Sequence, residues 1–157
     1  MLLKGSCHCG AVTFQVKAYG PAPYMRCYCS ICRKTAGGGG YAINLGAHAK
    51  TLKVRGKQHI TVFHARIDGK KGHAERRFCS KCGSALWVWD KSWPDLIHPF
   101  ASAIDSKLPK APQHVHIMLD SKVDWVPVDA KKGDQRFKEY PDQSVEDWHR
   151  AHRLLKR

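Results

Sequence analysis

No apolar stretch in this 157-residue chain approaches the roughly 18 residues that a bilayer-crossing helix needs. A membrane partner is therefore not expected. Only six residues precede the first cysteine, which leaves no room for a signal peptide. The expectation is a cytoplasmic protein of a reducing compartment, where clustered thiols serve metals rather than disulfides. Acidic residues are scarce, 13 against 27 lysines and arginines, for a formal charge of +14. That excess favours anionic partners, from small acids to nucleic acid. The basic residues are scattered in short groups, such as Lys53, Arg55 and Lys57, or Arg150, Arg153, Lys156 and Arg157. Without a long polybasic tail, dedicated nucleic-acid binding is the less favoured reading. No Gly-Lys-Ser/Thr follows the glycine run Gly37 to Gly40, which excludes a phosphate-cradling nucleotide loop. That run reads equally well as a turn or as a place where a ligand approaches backbone N–H groups. Internal repeats and compositional breaks are also missing, so one domain over residues 1–157 is expected.

What the chain does have is seven cysteines in three clusters: Cys7 and Cys9; Cys27, Cys29 and Cys32; Cys79 and Cys82. Thiols two or three residues apart meet one ion with little additional loop-closure entropy. Zinc takes soft thiolates in a tetrahedral shell, and its structural sites hold four ligands. Seven thiolates fill one such shell and leave three, which implies one closed site and one with an open position. Ionising all seven on two divalent ions lowers the formal charge only to about +11. Cys79-Ser80-Lys81-Cys82-Gly83 has the form of a zinc knuckle, with a glycine for the positive φ of its turn. Cys7-His8-Cys9-Gly10 ends in the same way. Spacing alone does not decide which clusters share an ion.

The body reads as mainly β. Val12, Phe14 and Val16 alternate with polar residues, and Tyr41 to Leu45 follows the glycine run. Thr51 to Val54 and Ile60 to Phe63 flank Gly56-Lys57, which predicts a hairpin. Arg76 to Phe78 and Ala85 to Trp89 bracket the last cysteine pair. His114 to Leu119 and Trp125 to Val128 complete the strand candidates, while Asp68 to Gly72 reads as an exposed loop. A helix is expected over residues 144–155. Ser144 caps it, Asp147 completes a capping box, and Val145, Trp148, His152 and Leu155 form its apolar stripe.

The segments GSCHCGAVTF, CYCSICRKTAGG and FCSKCGSALW resemble the glutathione-dependent formaldehyde-activating enzyme family, which includes the centromere protein V group. The likeness continues through Ala101 to Asp105, Pro112 to Ile117 and Trp125. The resemblance implies a β-tent of antiparallel sheets. It implies that Cys7, Cys9, Cys79 and Cys82 share a structural zinc. It also implies that Cys27, Cys29 and Cys32 hold a catalytic zinc; because an open position exposes the metal to exchange, partial occupancy of this second site is expected. The implied activity is that of a carbon–sulfur lyase acting on a thiol adduct such as S-hydroxymethylglutathione, with a small anionic thiol such as glutathione as partner. The competing reading is a non-enzymatic, zinc-stabilised module that binds nucleic acid or an acidic partner through its basic surface.

Three thiolates leave a zinc ion negatively charged overall and a modest Lewis acid, yet still receptive to a fourth soft ligand. That favours sulfur chemistry, and a basic surface favours an anionic thiol. A histidine is the other way to fill the fourth position. His8, His48, His59, His64, His73, His98, His114 and His116 are the candidates, and His114 and His116 share a strand face. Trp87 and Trp89 share a face too, and with Trp93 read either as core or as an aromatic wall beside the metal.

Overall fold

The structure is a computed structural model that describes residues 1–18, 20 and 23–153. Among the described residues, fourteen short strands and two short α-helices follow one another. They are β1 (Leu2–Ser6), β2 (Thr13–Lys17), β3 (Tyr24–Cys27), α1 (Ser30–Ala36), β4 (Ala42–Asn44), β5 (Ala47–His48) and β6 (Lys53–Arg55). Then come β7 (Ile60–Phe63), β8 (Arg66–Ile67), β9 (Lys70–Lys71), β10 (Glu75–Cys79) and β11 (Ala85–Trp89). The last are β12 (Leu96–Pro99), β13 (His114–Ile117), β14 (Gln135–Arg136) and α2 (Val145–Ala151). Three antiparallel sheets run β1-β2-β6, β5-β12-β11-β10-β7 and β8-β9. A fourth, β14-β13-β3-β4, is mixed: β13 pairs parallel with both β3 and β14. The mainly β body with its C-terminal helix matches the β-tent expected from the sequence.

Alternation explains the first sheet. Phe14 and Val16 point inward from β2, while Thr13 and Lys17 are exposed. Gly5 lies opposite Phe14 in the register, and a Cβ on Gly5 would sit 2.5 Å from the Phe14 ring. The phenyl ring therefore occupies the space of the missing side chain. Leu3, Val12, Phe14, Val16, Leu45, Leu86, Trp87 and Ile97 form one core, which takes in Cys7 and Cys79. A second core of Met25, Ala42, Val88, Phe100, Val115 and Ile117 takes in Cys27 and Cys32. Each fully buried aliphatic or aromatic side chain contributes about 1.5–3 kcal/mol relative to exposure.

Four sequence expectations are corrected. Gly56-Lys57 does not close a hairpin. β6 pairs with β2 and β7 with β10, so the two strands belong to different sheets. Gly56 takes a left-handed φ of 77° and leads into a 3-10 turn, which redirects the chain. A Cβ there would lie 1.9 Å from the Ala11 carbonyl oxygen, so the glycine serves a close backbone approach. Trp125 to Val128 is not a strand. Trp125 is 65% exposed, and the Val126 N–H turns back to the Val123 carbonyl. The strand that joins β13 there is the polar pair Gln135–Arg136, which hydrophobic patterning does not flag. α2 ends at Ala151, and Leu155 lies outside the described residues. Its cap is as expected, with the Asp147 N–H donating to Ser144 Oγ at 3.0 Å. The Asp147 carboxylate accepts from the Ser144 hydroxyl. The stretch read as an exposed loop at Asp68 to Gly72 is the turn and second strand of the small β8-β9 ribbon.

Candidate metal centre

Two turns bring four cysteines together. In the first, the Gly10 N–H donates to the Cys7 carbonyl at 3.0 Å, and Gly10 takes a φ of 76°. In the second, the Gly83 N–H donates to the Cys79 carbonyl at 2.8 Å, and Gly83 takes a φ of 73°. The two turns are joined by the His8 N–H, which donates to Ser84 Oγ at 3.0 Å. The sulfurs of Cys7, Cys9, Cys79 and Cys82 all lie within 4.8 Å of one another. Cys7 and Cys9 are 3.6 Å apart, and Cys9 and Cys79 are 3.8 Å apart. A tetrahedral zinc with bonds of about 2.3 Å needs S···S edges of about 3.8 Å, so the donor set fits such an ion. Backbone support is already in place, since the Val12 N–H donates to Cys7 Sγ at 3.2 Å. The Ser84 hydroxyl and N–H lower the exposed Cys82 thiol to about 5.

Cys27, Cys29 and Cys32 form the second cluster, also within 4.8 Å. Cys27 ends β3, Cys29 is the N-cap of α1, and Cys32 lies in its first turn. The Cys32 N–H donates to Cys29 Sγ at 3.3 Å, and the Cys27 and Cys29 sulfurs are 3.5 Å apart. The three thiols crowd one another, so ionising one disfavours ionising the others. Contacts from Cys27 and then Cys32 hold the Cys29 thiol far below its usual range, while the same crowding and burial push Cys27 far up. A divalent ion held by Cys27, Cys29 and Cys32 would remove that conflict, because each thiolate would then face a positive charge. Cys27 and Cys32 are buried and Cys29 is half-buried.

Arg76 is a neighbour that the cysteine spacing does not announce. Its Nη1 and Nη2 lie 3.6 and 3.5 Å from Cys32 Sγ. It also lines a cavity of about 340 Å³ with Arg77, Phe63, Phe78, Phe100 and Thr35. The only sequence signal for it is a basic pair on the strand entering the last knuckle. Trp87 does not form an aromatic wall here: it packs edge-on against Phe14 at 5.1 Å in the first core. The next residue, Val88, belongs to the core of the cysteine triplet. Trp93 packs partly against that second core and against His98.

Among the described residues, no histidine joins either sulfur cluster. His98 is buried, which lowers it to about 4, and its Nδ1 lies 2.9 Å from the Leu45 carbonyl. His114 and His116 do share a face, and both rings approach Asp134 Oδ2, at 3.5 and 3.4 Å. Burial pulls His116 below the usual imidazole range, so it is neutral near pH 7. The glycine run is a turn: the Gly40 N–H donates to the Gly37 carbonyl at 2.9 Å, and Gly40 packs beneath Val126.

The sequence profile of the glutathione-dependent formaldehyde-activating enzyme family matches residues 2–121, a span that holds all seven cysteines and Arg76. The chain belongs to this family. A Halomonas elongata protein named "Putative glutathione-dependent formaldehyde-activating enzyme" is 59% identical over 149 residues, which is 95% of each chain. A crystal structure of a Rhodobacter sphaeroides protein is similar with a TM-score of 0.56 at 26% identity, covering 85% of this chain and 98% of that one. The family match stops before Asp134 and α2.

Proposed function

We propose that this chain is a zinc-dependent carbon–sulfur lyase acting on the adduct of an anionic thiol with a small aldehyde, with glutathione and formaldehyde as the leading pair. Cys7, Cys9, Cys79 and Cys82 hold a structural ion in this reading, and Cys27, Cys29 and Cys32 hold the catalytic one. The observation that carries it is a three-sulfur cluster, one short of a closed shell, beside a cavity that Arg76 reaches at the same time as Cys32. Zinc held by the triplet supplies a thiophilic Lewis acid with one position left for a substrate sulfur.

The remaining roles belong to side chains. Arg76 places a guanidinium against Cys32 Sγ and offsets the negative charge that three thiolates accumulate. An incoming thiolate then meets less repulsion. Arg76 and Arg77 both line the cavity and give it the positive charge that attracts an anionic substrate, although Arg77 also pairs with Glu75 and both Nη atoms of Arg76 already face Cys32. Phe63, Phe78 and Phe100 give the rest of this open cavity an apolar lining. In the synthetic direction a C–S bond forms between the thiol sulfur and the carbonyl carbon. The thiol gives up its proton and the carbonyl oxygen gains one; the reverse reaction breaks the same bond.

The test is the rate of formaldehyde loss with and without glutathione, followed by NMR on zinc-loaded protein with the spontaneous reaction subtracted. Acceleration that depends on both protein and thiol is expected. A loaded protein that neither binds glutathione nor changes the rate of any thiol-adduct reaction overturns the lyase reading and favours a binding module. The two sites are also expected to differ in lability. A chelator titration monitored by metal content and circular dichroism should remove one ion while the fold persists, because an open coordination position gives a chelator entry. Joint loss of both ions and the fold would count against separate roles.

A further inference from the structure

We infer that Tyr28, His116 and Asp134 form a buried brace that sets how tightly Cys27, Cys29 and Cys32 retain their metal, an inference resting on the zinc reading of that triplet. Tyr28 is the single residue between the ligands Cys27 and Cys29, and both it and His116 are 0% exposed. Its hydroxyl lies 2.9 Å from His116 Nδ1, and His116 Nε2 lies 3.4 Å from Asp134 Oδ2. Asp134 also accepts the backbone N–H groups of His114 and Lys131, at 2.8 and 2.9 Å. A carboxylate only accepts, so the neutral imidazole carries its proton on Nε2. Nδ1 is then the acceptor for the Tyr28 hydroxyl, and every group in the chain is satisfied.

The backbone reinforces the same contact. Ile117 pairs with Cys27 in the parallel register, and the Tyr28 N–H donates to the Ile117 carbonyl at 3.1 Å. The main chain and the side chain of Tyr28 are thus both anchored to the β13 segment. Rotation of Tyr28 would swing Cys27 and Cys29 relative to one another, and the brace opposes that rotation. Hydrogen bonds made directly to metal ligands are worth about 10–100-fold in affinity; the brace bonds no ligand and acts through the residue between two of them, so its effect is expected at the low end, about 10-fold. These are positioning residues: none of the three joins the sulfur cluster. Asp134 lies beyond the residues matched by the family profile, so the C-terminal segment contributes support to the centre rather than trailing from it. Gln113 extends the link. With its amide turned to suit its neighbours, its nitrogen donates to the Gly133 carbonyl at 3.0 Å and its oxygen accepts from Trp148 Nε1 of α2 at 3.0 Å.

The experiment is zinc release from Tyr28→Phe, His116→Gln and Asp134→Asn to a chromophoric chelator, read alongside melting temperature. Wild-type protein should release its ions in a fast phase from the triplet and a slow phase from the four-cysteine site. Each variant should speed the fast phase about 10-fold and leave the slow phase unchanged. The double variant Tyr28→Phe/His116→Gln should be no faster than the quicker single variant, since both break one chain. The Co(II)-loaded triplet should show altered visible bands in the variants. Tyr28→Phe keeps the ring and decides the matter if a harsher variant does not fold. An unchanged fast phase in folded Tyr28→Phe overturns the brace. So does equal acceleration of both phases, which would report general loosening. A wild-type protein that binds no metal at the triplet overturns the zinc reading, and the brace falls with it.

Discussion

Cys79→Ser is expected to leave the four-cysteine site unable to hold its ion and to lower the melting temperature by more than about 10 °C. The size follows from where the residue sits. Cys79 is 0% exposed, ends β10, and packs in the first core beside Cys7. The ion it would share with Cys9 joins segments 70 residues apart in sequence. Its loss frees both turns and restores the entropy of that loop to the unfolded chain. Apparent zinc-binding energies of about 10–16 kcal/mol in small zinc domains exceed the 5–15 kcal/mol that separates most folded domains from unfolded ones only modestly, so losing even part of that contribution is severe. At about 2–4 °C per kcal/mol for a chain of this size, a loss of several kcal/mol gives the stated shift. Metal content by atomic emission and melting by calorimetry check it. A folded variant with full zinc content and wild-type melting would refute the structural role.

What was legible in the sequence was local. Each cysteine cluster announces itself because its thiols are only two or three residues apart, and in the first and last clusters a knuckle glycine, Gly10 or Gly83, follows directly. The union of Cys7 and Cys9 with Cys79 and Cys82 is set by two distant turns meeting, and spacing carries no trace of that. β2 was readable because one face is buried and the other wet. β3 was not: its Tyr-Met-Arg-Cys lies inside the mixed sheet, between β13 and β4, and is covered on both faces, so it shows no alternation. α1 was hidden because it is short and capped by a thiol, Cys29, outside the Ser, Thr, Asp and Asn set that marks most helix starts. The Gly56 hairpin failed because a glycine's positive φ serves a close approach to Ala11 as readily as it serves a two-residue turn. His116 stood out in the sequence as a candidate ligand. The partners that instead hold it among polar groups, Tyr28 and Asp134, lie 88 and 18 residues away.

Cys29→Ala is expected to reduce carbon–sulfur turnover by more than about 100-fold while the fold persists. Two roles meet in this residue, and their magnitudes separate them. As the N-cap of α1 it accepts the Cys32 N–H, a contribution of about 1 kcal/mol that a domain of ordinary stability tolerates losing. As one of three sulfurs it supplies a third of the triplet's donor set, and two cysteines do not make a site that distinguishes a metal from solvent. The thermal penalty should therefore be small, in contrast to Cys79→Ser, and the catalytic penalty large. Cys29→Ser sharpens the comparison, because a serine hydroxyl caps a helix well but binds zinc poorly. It should melt close to wild type yet remain as inactive as Cys29→Ala. The same assay of formaldehyde loss with glutathione reads all three proteins after zinc loading. Wild-type activity in Cys29→Ala, with its metal content unchanged, would remove the triplet from the chemistry. Activity restored by Cys29→Ser would show that capping α1, not ligation, is what Cys29 provides.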